Sequence, residues 1–310
     1  MPEHENKNED KNESKTETET ENKNKNVPEN KREDKNKTKN EPEPEPESRN
    51  RIRIWIAGHP LIAFFLLADA ISWTLWGLAA LGGGQVVFLL GGLGPFAAAL
   101  IVTATRATAQ TWLRSLLVWR VNPVYYTIAL LLPVAIYAVI NLVLVVLGEV
   151  PDLSRLDGLA PAYFGTFVMV ATIGGGLEEP GWRGFALPEL QRLRSPVSAT
   201  LILGLAWGIW HVPLYGPLGF IVPLVLAFFY TWLYNRTGSV LVCLLFHGSF
   251  TPAQDYLTLV PDAAVVDVVI LGTYVAAALA LTLATRGRLG LPRAAPESQL
   301  PPRHSLPSLL

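Results

Sequence analysis

The chain has 310 residues, half of them hydrophobic, and a formal net charge of −1. That balance calls for no polyanionic partner, so nucleic acid is not expected. A single cysteine, Cys243, excludes a disulfide framework and a cysteine-ligated metal cluster within one chain.

The charge is unevenly placed. Residues 1–50 carry fifteen acids and eleven bases, so they contribute −4 and the remainder +3. Their only clearly apolar side chains are Met1 and Val27. Such a segment cannot bury enough surface to offset the entropy of ordering, and it reads as a disordered, charged cytoplasmic tail. Its EPEPEPE stretch is expected to be locally extended. No secretory leader is expected before so polar a start, which makes the first apolar segment an uncleaved anchor. A single domain is expected over 51–290, with a flexible C-terminal tail over 291–310.

From about residue 61 the apolar runs have the length of membrane crossings, about 20 residues each. Eight are expected: 61–81, 86–105, 124–147, 165–193, 197–214, 218–234, 239–257 and 264–284. They lack the alternation of barrel strands, and a lone spanning segment must satisfy its own backbone, so the expected class is an all-α, polytopic membrane bundle. Basic loops alternate with neutral or acidic ones. Arg106, Arg114 and Arg120 stand in the second loop without an acid, whereas Asp255, Asp262 and Asp267 stand in the seventh without a base. The positive-inside rule then puts both termini in the cytoplasm of a multi-pass cell-membrane protein. Trp55, Trp73, Trp76, Trp112 and Trp119 fall near predicted helix ends and read as interfacial anchors.

The stretch GGGLEEPGWRG, residues 174–184, interrupts this grease with Glu178, Glu179 and Arg183. Charges are costly inside a bilayer and mark function or pairing. Of five histidines, only His211 and His247 lie well inside spans. On straight helices Glu179 and His211 would each lie about 22 Å from the nearest span end, and His247 about 14 Å. The first two depths match, and the third agrees if helices tilt. Glu179 and Arg183 are four apart, so they share a face and can pair. Glu178 lies about 100° around the helix and is free to point elsewhere. One glutamate held by an arginine and one left free can act as a general acid or base. A Glu–Arg pair is equally able to be structural glue, and a lone histidine is more often a hydrogen-bonded core residue. Asp69 and Asn141 read as packing hydrogen bonds between helices. Pro180, Pro188 and Pro252 each have glycine four residues earlier, where it would ease a kink.

EEPGWRG resembles the EExxxR motif of the CPBP intramembrane proteases. That group includes the type 2 CAAX prenyl proteases and the bacteriocin-immunity or lysostaphin-resistance relatives. WGIWH stands where that family has FxxxH, with Trp207 in place of phenylalanine. HGSFT stands where it has HxxxN, with Thr251 in place of asparagine. The order of the three motifs, the eight spans and the spacings match that family over about residues 60–285. The resemblance implies an α-helical membrane endopeptidase acting on a membrane-associated peptide or protein. Glu178 would activate water. His211 and His247 would complete the site, as ligands of a zinc ion together with Glu178 or as hydrogen-bond partners of the water and the oxyanion. Glu179 and Arg183 would support them, and Thr251 would donate in place of the amide. Two histidines and a carboxylate can bind zinc with a position left open for water, but HExxH is absent. Two other readings use the same cluster. One is a proton-coupled carrier, although the glutamates have no counterpart in the other half of the chain. The other is a catalytically silent immunity or scaffold protein.

Overall fold

The computed structural model describes residues 47–260 and 264–292, and the expectations for the rest of both tails lie outside the described residues. Helices and turns account for the described residues, with no strand among them. In chain order the helices are α1 (Glu47–Gly58), α2 (Pro60–Leu78), α3 (Gly84–Gly91), α4 (Gly94–Thr105), α5 (Ala109–Ser115), α6 (Val124–Val146) and α7 (Leu159–Thr172). Then follow α8 (Glu179–Gly181), α9 (Leu187–Gln191), α10 (Pro196–Tyr215), α11 (Ile221–Thr237), α12 (Val240–Tyr256) and α13 (Ala264–Ala284).

Local chemistry sets the ends. Pro60, Pro95 and Pro196 occupy first-turn positions, where a missing N–H removes nothing from the helix. Ser195 and Ser239 cap α10 and α12 by accepting from the backbone N–H of Ser198 and Val242. Gly238 ends α11 in the left-handed region at φ 63°, which glycine enters without a Cβ clash.

Five stretches are long and apolar enough to cross a membrane: Pro60–Gly91, Val124–Val146, Leu159–Gln191, Pro196–Tyr215 and Val265–Ala284. The expected run over 86–105 divides into α3 and α4 at a turn. Helices α11 and α12 have 17 residues each, about 26 Å at 1.5 Å per residue, a little less than a hydrocarbon core of about 30 Å. Both also carry polar residues, including Asn235 and Arg236 on α11 and His247, Ser249 and Asp255 on α12. The protein is a multi-pass, all-α membrane protein, and the membrane-length helices among the described residues number five where eight crossings were expected.

The outward face is apolar, with Leu81, Val146 and Leu283 largely exposed, as lipid rather than water requires. Lipid is as apolar as leucine, so helix association rests on close approach and on buried polar contacts. Helix α10 meets α11 at Gly204 and Gly208, where a Cβ would come within 2.9 Å of Leu224 O and 2.4 Å of Phe220 O. Thr200 donates to Thr231 across the same pair at 2.9 Å. Helix α12 packs on both α6 and α7. Ser249 donates to Leu130 O on α6 at 2.6 Å, and Tyr163 on α7 donates to Ser249 O at 3.0 Å. Asn141 is the packing residue expected. Its amide donates to Tyr137 O and Leu257 O and its oxygen accepts from Leu259 N, which ties α6 to the loop after α12.

Two of the expected tryptophan anchors are core residues instead. Trp76 and Trp112 are buried, and Trp76 donates to Phe88 O at 3.1 Å. Position near a helix end does not separate an anchor from a core ring, because both are aromatic and close to polar backbone. Trp55 and Trp119 are exposed.

Candidate active site

The continuous helix expected over 165–193 is broken where the acids lie. Helix α7 stops at Thr172, Gly174 leaves helical geometry at φ −84°, ψ −138°, and a tight turn over Gly175–Glu178 leads into α8. A π-helical turn over Trp182–Ala186 then joins α8 to α9. Three consecutive glycines give the backbone the freedom to break. Pro180 and Pro188 remove two N–H donors, and the wider π turn is what the chain adopts just before Pro188. The straight-helix depth count therefore does not describe how the polar groups meet. They meet because the break turns the start of α8 toward α10 and α12.

The two glutamates have separate partners. Glu179 hydrogen-bonds Arg183 through Oε1, and Arg183 Nη1 lies 3.1 Å from each of its carboxylate oxygens. Its Oε1 also accepts from His247 Nδ1 at 2.8 Å. Glu178 turns the other way, and its Oε2 accepts from the indole N–H of Trp207 on α10 at 2.8 Å. Its Oε1 has no hydrogen-bond partner among the described residues. One turn beyond Trp207, His211 Nδ1 donates to the Trp207 carbonyl at 2.8 Å. That bond fixes its tautomer and leaves Nε2 as the free nitrogen.

Trp207 is the hub of this arrangement. Its ring edges contact both histidines, with centroids 5.3 Å from His211 and 5.9 Å from His247. Its face carries the Arg183 guanidinium at 4.0 Å, and Tyr230 on α11 covers the other side at 3.9 Å. Arg183 Nε and Nη2 have no hydrogen-bond partners, so the two rings are what accommodate these atoms. A desolvated cation between two aromatic faces gains on the order of 2 kcal/mol or more.

Exposure sorts the same residues into two groups. Glu179 and Arg183 are at 0%. Glu178, His211 and His247 keep 5%, 7% and 9% of their surface open. The first pair is fully sealed, and the other three, though buried, keep a small part of their surface open.

Five of the six residues expected at the site join it: Glu178, Glu179, Arg183, His211 and His247. Thr251 lies one turn beyond His247 on α12, half-buried, and makes no hydrogen bond with any of them. The sequence reading missed two members. Tyr230 sits among aromatics in AFFYTWLYN, and nothing in the pattern singles it out. Gly175 faces His247 so closely that a Cβ there would come 2.2 Å from Nε2. The glycine run held that signal, but flexibility and close approach look alike in a sequence.

Zinc is tested by the donors themselves. No group of three or more His, Cys, Asp and Glu side chains among the described residues is arranged to hold a metal ion. The contacts of His247 Nδ1 with Glu179 and of one Glu178 oxygen with Trp207 leave His247 Nε2 and Glu178 Oε1 unengaged.

Comparison with known proteins bears out the motif resemblance. Residues 160–251 match the family model described as type II CAAX prenyl endopeptidase Rce1-like. All six expected site residues fall within the matched stretch. The chain is also 31% identical over 123 residues to a protein of Methanococcus maripaludis named CAAX prenyl protease 2. The alignment covers 34% of this chain and 45% of that relative, so the chain spans less than half the length of the curated protein it matches.

Proposed function

We propose that the protein is an intramembrane endopeptidase that uses Glu178 to activate water. The observation that carries this reading is the division between a fully sealed Glu179–Arg183 pair and a slightly open trio, in which Glu178 keeps one carboxylate oxygen unengaged. Glu178 Oε1 accepts a proton from water as the hydroxyl oxygen adds to the scissile carbonyl. The same carboxyl returns that proton to the leaving amine as the C–N bond breaks. With their Nδ1–H groups donating to the Trp207 carbonyl and to Glu179, His211 and His247 present Nε2 as acceptors, able to take the second O–H of the water. Glu179 orients His247, and Arg183 keeps Glu179 charged-paired in a place where an unpaired carboxylate would be costly. The Thr251 hydroxyl, one turn from His247 and unengaged by the other site residues, is available to donate to the developing oxyanion. Each step runs through the chain's own residues.

The name of the Methanococcus relative supports a prenylated C-terminal peptide as the substrate class. The test is a cleavage assay on purified protein in bilayers. A farnesylated CAAX peptide and its unprenylated twin are offered together, and products are identified by mass. Release of the last three residues from the farnesylated peptide alone is expected. No cleavage of either peptide, by protein that remains folded, contradicts the proposal.

The alternation of basic and acidic loops supports both termini on the cytoplasmic side. Cys243 is buried, so a cysteine placed near either terminus is labelled selectively by a thiol reagent. Labelling of intact cells from outside by an impermeant reagent contradicts that orientation.

A further inference from the structure

The chain beyond the last helix folds back and builds a second site, distant in sequence from the glutamates. After α13 the segment 285–292 turns sharply. Arg286 at φ 53° and Leu289 at φ 43° both sit in the left-handed region, which side-chain-bearing residues rarely occupy. Such conformations persist where surrounding contacts over-determine them. Here the contacts are visible. Leu289 is fully buried, its carbonyl accepts from Asn235 on α11 at 2.9 Å, and its N–H donates to Thr285 Oγ1 at 3.2 Å. Gly290 lies against the stem of Arg236.

The result is an open cavity of about 290 Å³ lined by Tyr125, Trp232, Arg236, Thr285 and Arg288, with Gly290 and Leu291 at its wall. Two guanidiniums enter it, and no Asp or Glu is among its lining residues. Among the described residues neither arginine is paired with a carboxylate. Arg236 Nε donates to Tyr125 OH at 2.8 Å and Arg288 Nη2 to Leu291 O at 2.9 Å, which aims each fork and leaves donors over. The cavity gathers the start of α6 and the ends of α11 and α13, where helices leave the hydrocarbon, and it carries a Tyr and a Trp of the kind that sits at headgroup level.

We propose that this cavity binds the phosphate of an anionic phospholipid headgroup. Two planar forks match phosphate oxygens, and two uncompensated charges favour a headgroup with net negative charge over a zwitterionic one. A soluble phosphate offers the same chemistry, so the experiment separates the two sources.

Full-length protein in detergent is titrated with dioctanoyl-phosphatidylglycerol or dioctanoyl-phosphatidylcholine, and bound lipid is counted by native mass spectrometry. The glycerol lipid is expected to bind roughly tenfold tighter or more, a preference that R236Q/R288Q abolishes and R120Q, outside the cavity, retains. Inorganic phosphate is then added as a competitor. Displacement of the lipid at millimolar phosphate identifies the phosphate group alone as the ligand, and no displacement identifies the lipid. Equal binding of the two lipids by the wild type, or an undiminished preference in R236Q/R288Q, overturns the proposal. If the double variant unfolds, Arg288→Glu carries the same test, because among the described residues the Arg288 side chain bonds only the Leu291 carbonyl.

Discussion

The indole N–H of Trp207 donates to Glu178 Oε2 at 2.8 Å, so the residue that replaces the family's phenylalanine holds the carboxylate proposed to activate water. Trp207→Phe keeps an aromatic face against Arg183 but removes the donor together with part of the ring volume. Loss of one such hydrogen bond, about 1–1.5 kcal/mol, predicts a fall in kcat of roughly tenfold, beside a stability loss from the smaller ring in a buried position. Steady-state kinetics beside an unfolding curve decide it. An unchanged kcat shows that Glu178 is positioned without Trp207.

Gly175 stands against His247 Nε2, where an added Cβ would come within 2.2 Å. The ring cannot retreat without leaving Glu179, to which its other nitrogen is bonded at 2.8 Å. Gly175→Ala is therefore expected to lower turnover by about 10²-fold, the scale of a misplacement of about 1 Å. Its stability loss is expected to be small beside that. If the variant cleaves at the wild-type rate, Nε2 of His247 has no part in the reaction.

Arg183→Ala leaves Glu179 buried without its cation and opens the space between Trp207 and Tyr230. Removing one member of a buried pair costs about 3–5 kcal/mol. Arg183→Met combined with Glu179→Gln removes both charges and fills most of the volume, so it is expected to be more stable than Arg183→Ala and equally inactive. Denaturation in mild detergent measures the first, the cleavage assay the second. A double variant no more stable than Arg183→Ala shows that packing, not the unpaired charge, sets the loss.

Thr251→Val keeps the side-chain shape and deletes the hydroxyl. If that hydroxyl serves the oxyanion, turnover falls on the order of 10²–10³-fold, while Thr251→Ser retains most of it. Equal rates for the valine variant and the wild type make Thr251 a packing residue.

What could be read in the sequence follows from range. The Glu179–Arg183 pair is a local, helical relationship, four residues apart, and the structure contains it. The separation of Glu178 from Glu179 by about 100° is also local, and their partners do differ. Helical class followed from run length alone. The break at Gly174 was not legible, because glycines are common in membrane helices and the surrounding sequence stays apolar. Trp76 and Trp112 were misplaced for a related reason: a ring near a helix end can face the headgroups or the core, and only the neighbouring helix decides. Tyr230 depends on the approach of α11 to α10 and to the π-helical turn over Trp182–Ala186, which no periodicity encodes. Gly176 and Gly248 were read as kink relief. Their missing side chains also make room for close neighbours, Ala171 O and Leu244 beside Gly176 and Ala171 Cβ beside Gly248.

The central claim is that Glu178 performs the chemistry while Glu179 and Arg183 hold the frame. Its most direct measurement is the single-turnover rate of Glu178→Gln, beside its unfolding curve, on whichever peptide the wild type cleaves. Glutamine preserves the shape and can still accept from Trp207 through its amide oxygen, but it cannot take a proton from water. The account predicts a protein as stable as the wild type with no measurable cleavage. A folded Glu178→Gln variant that cleaves at a rate near the wild type contradicts it.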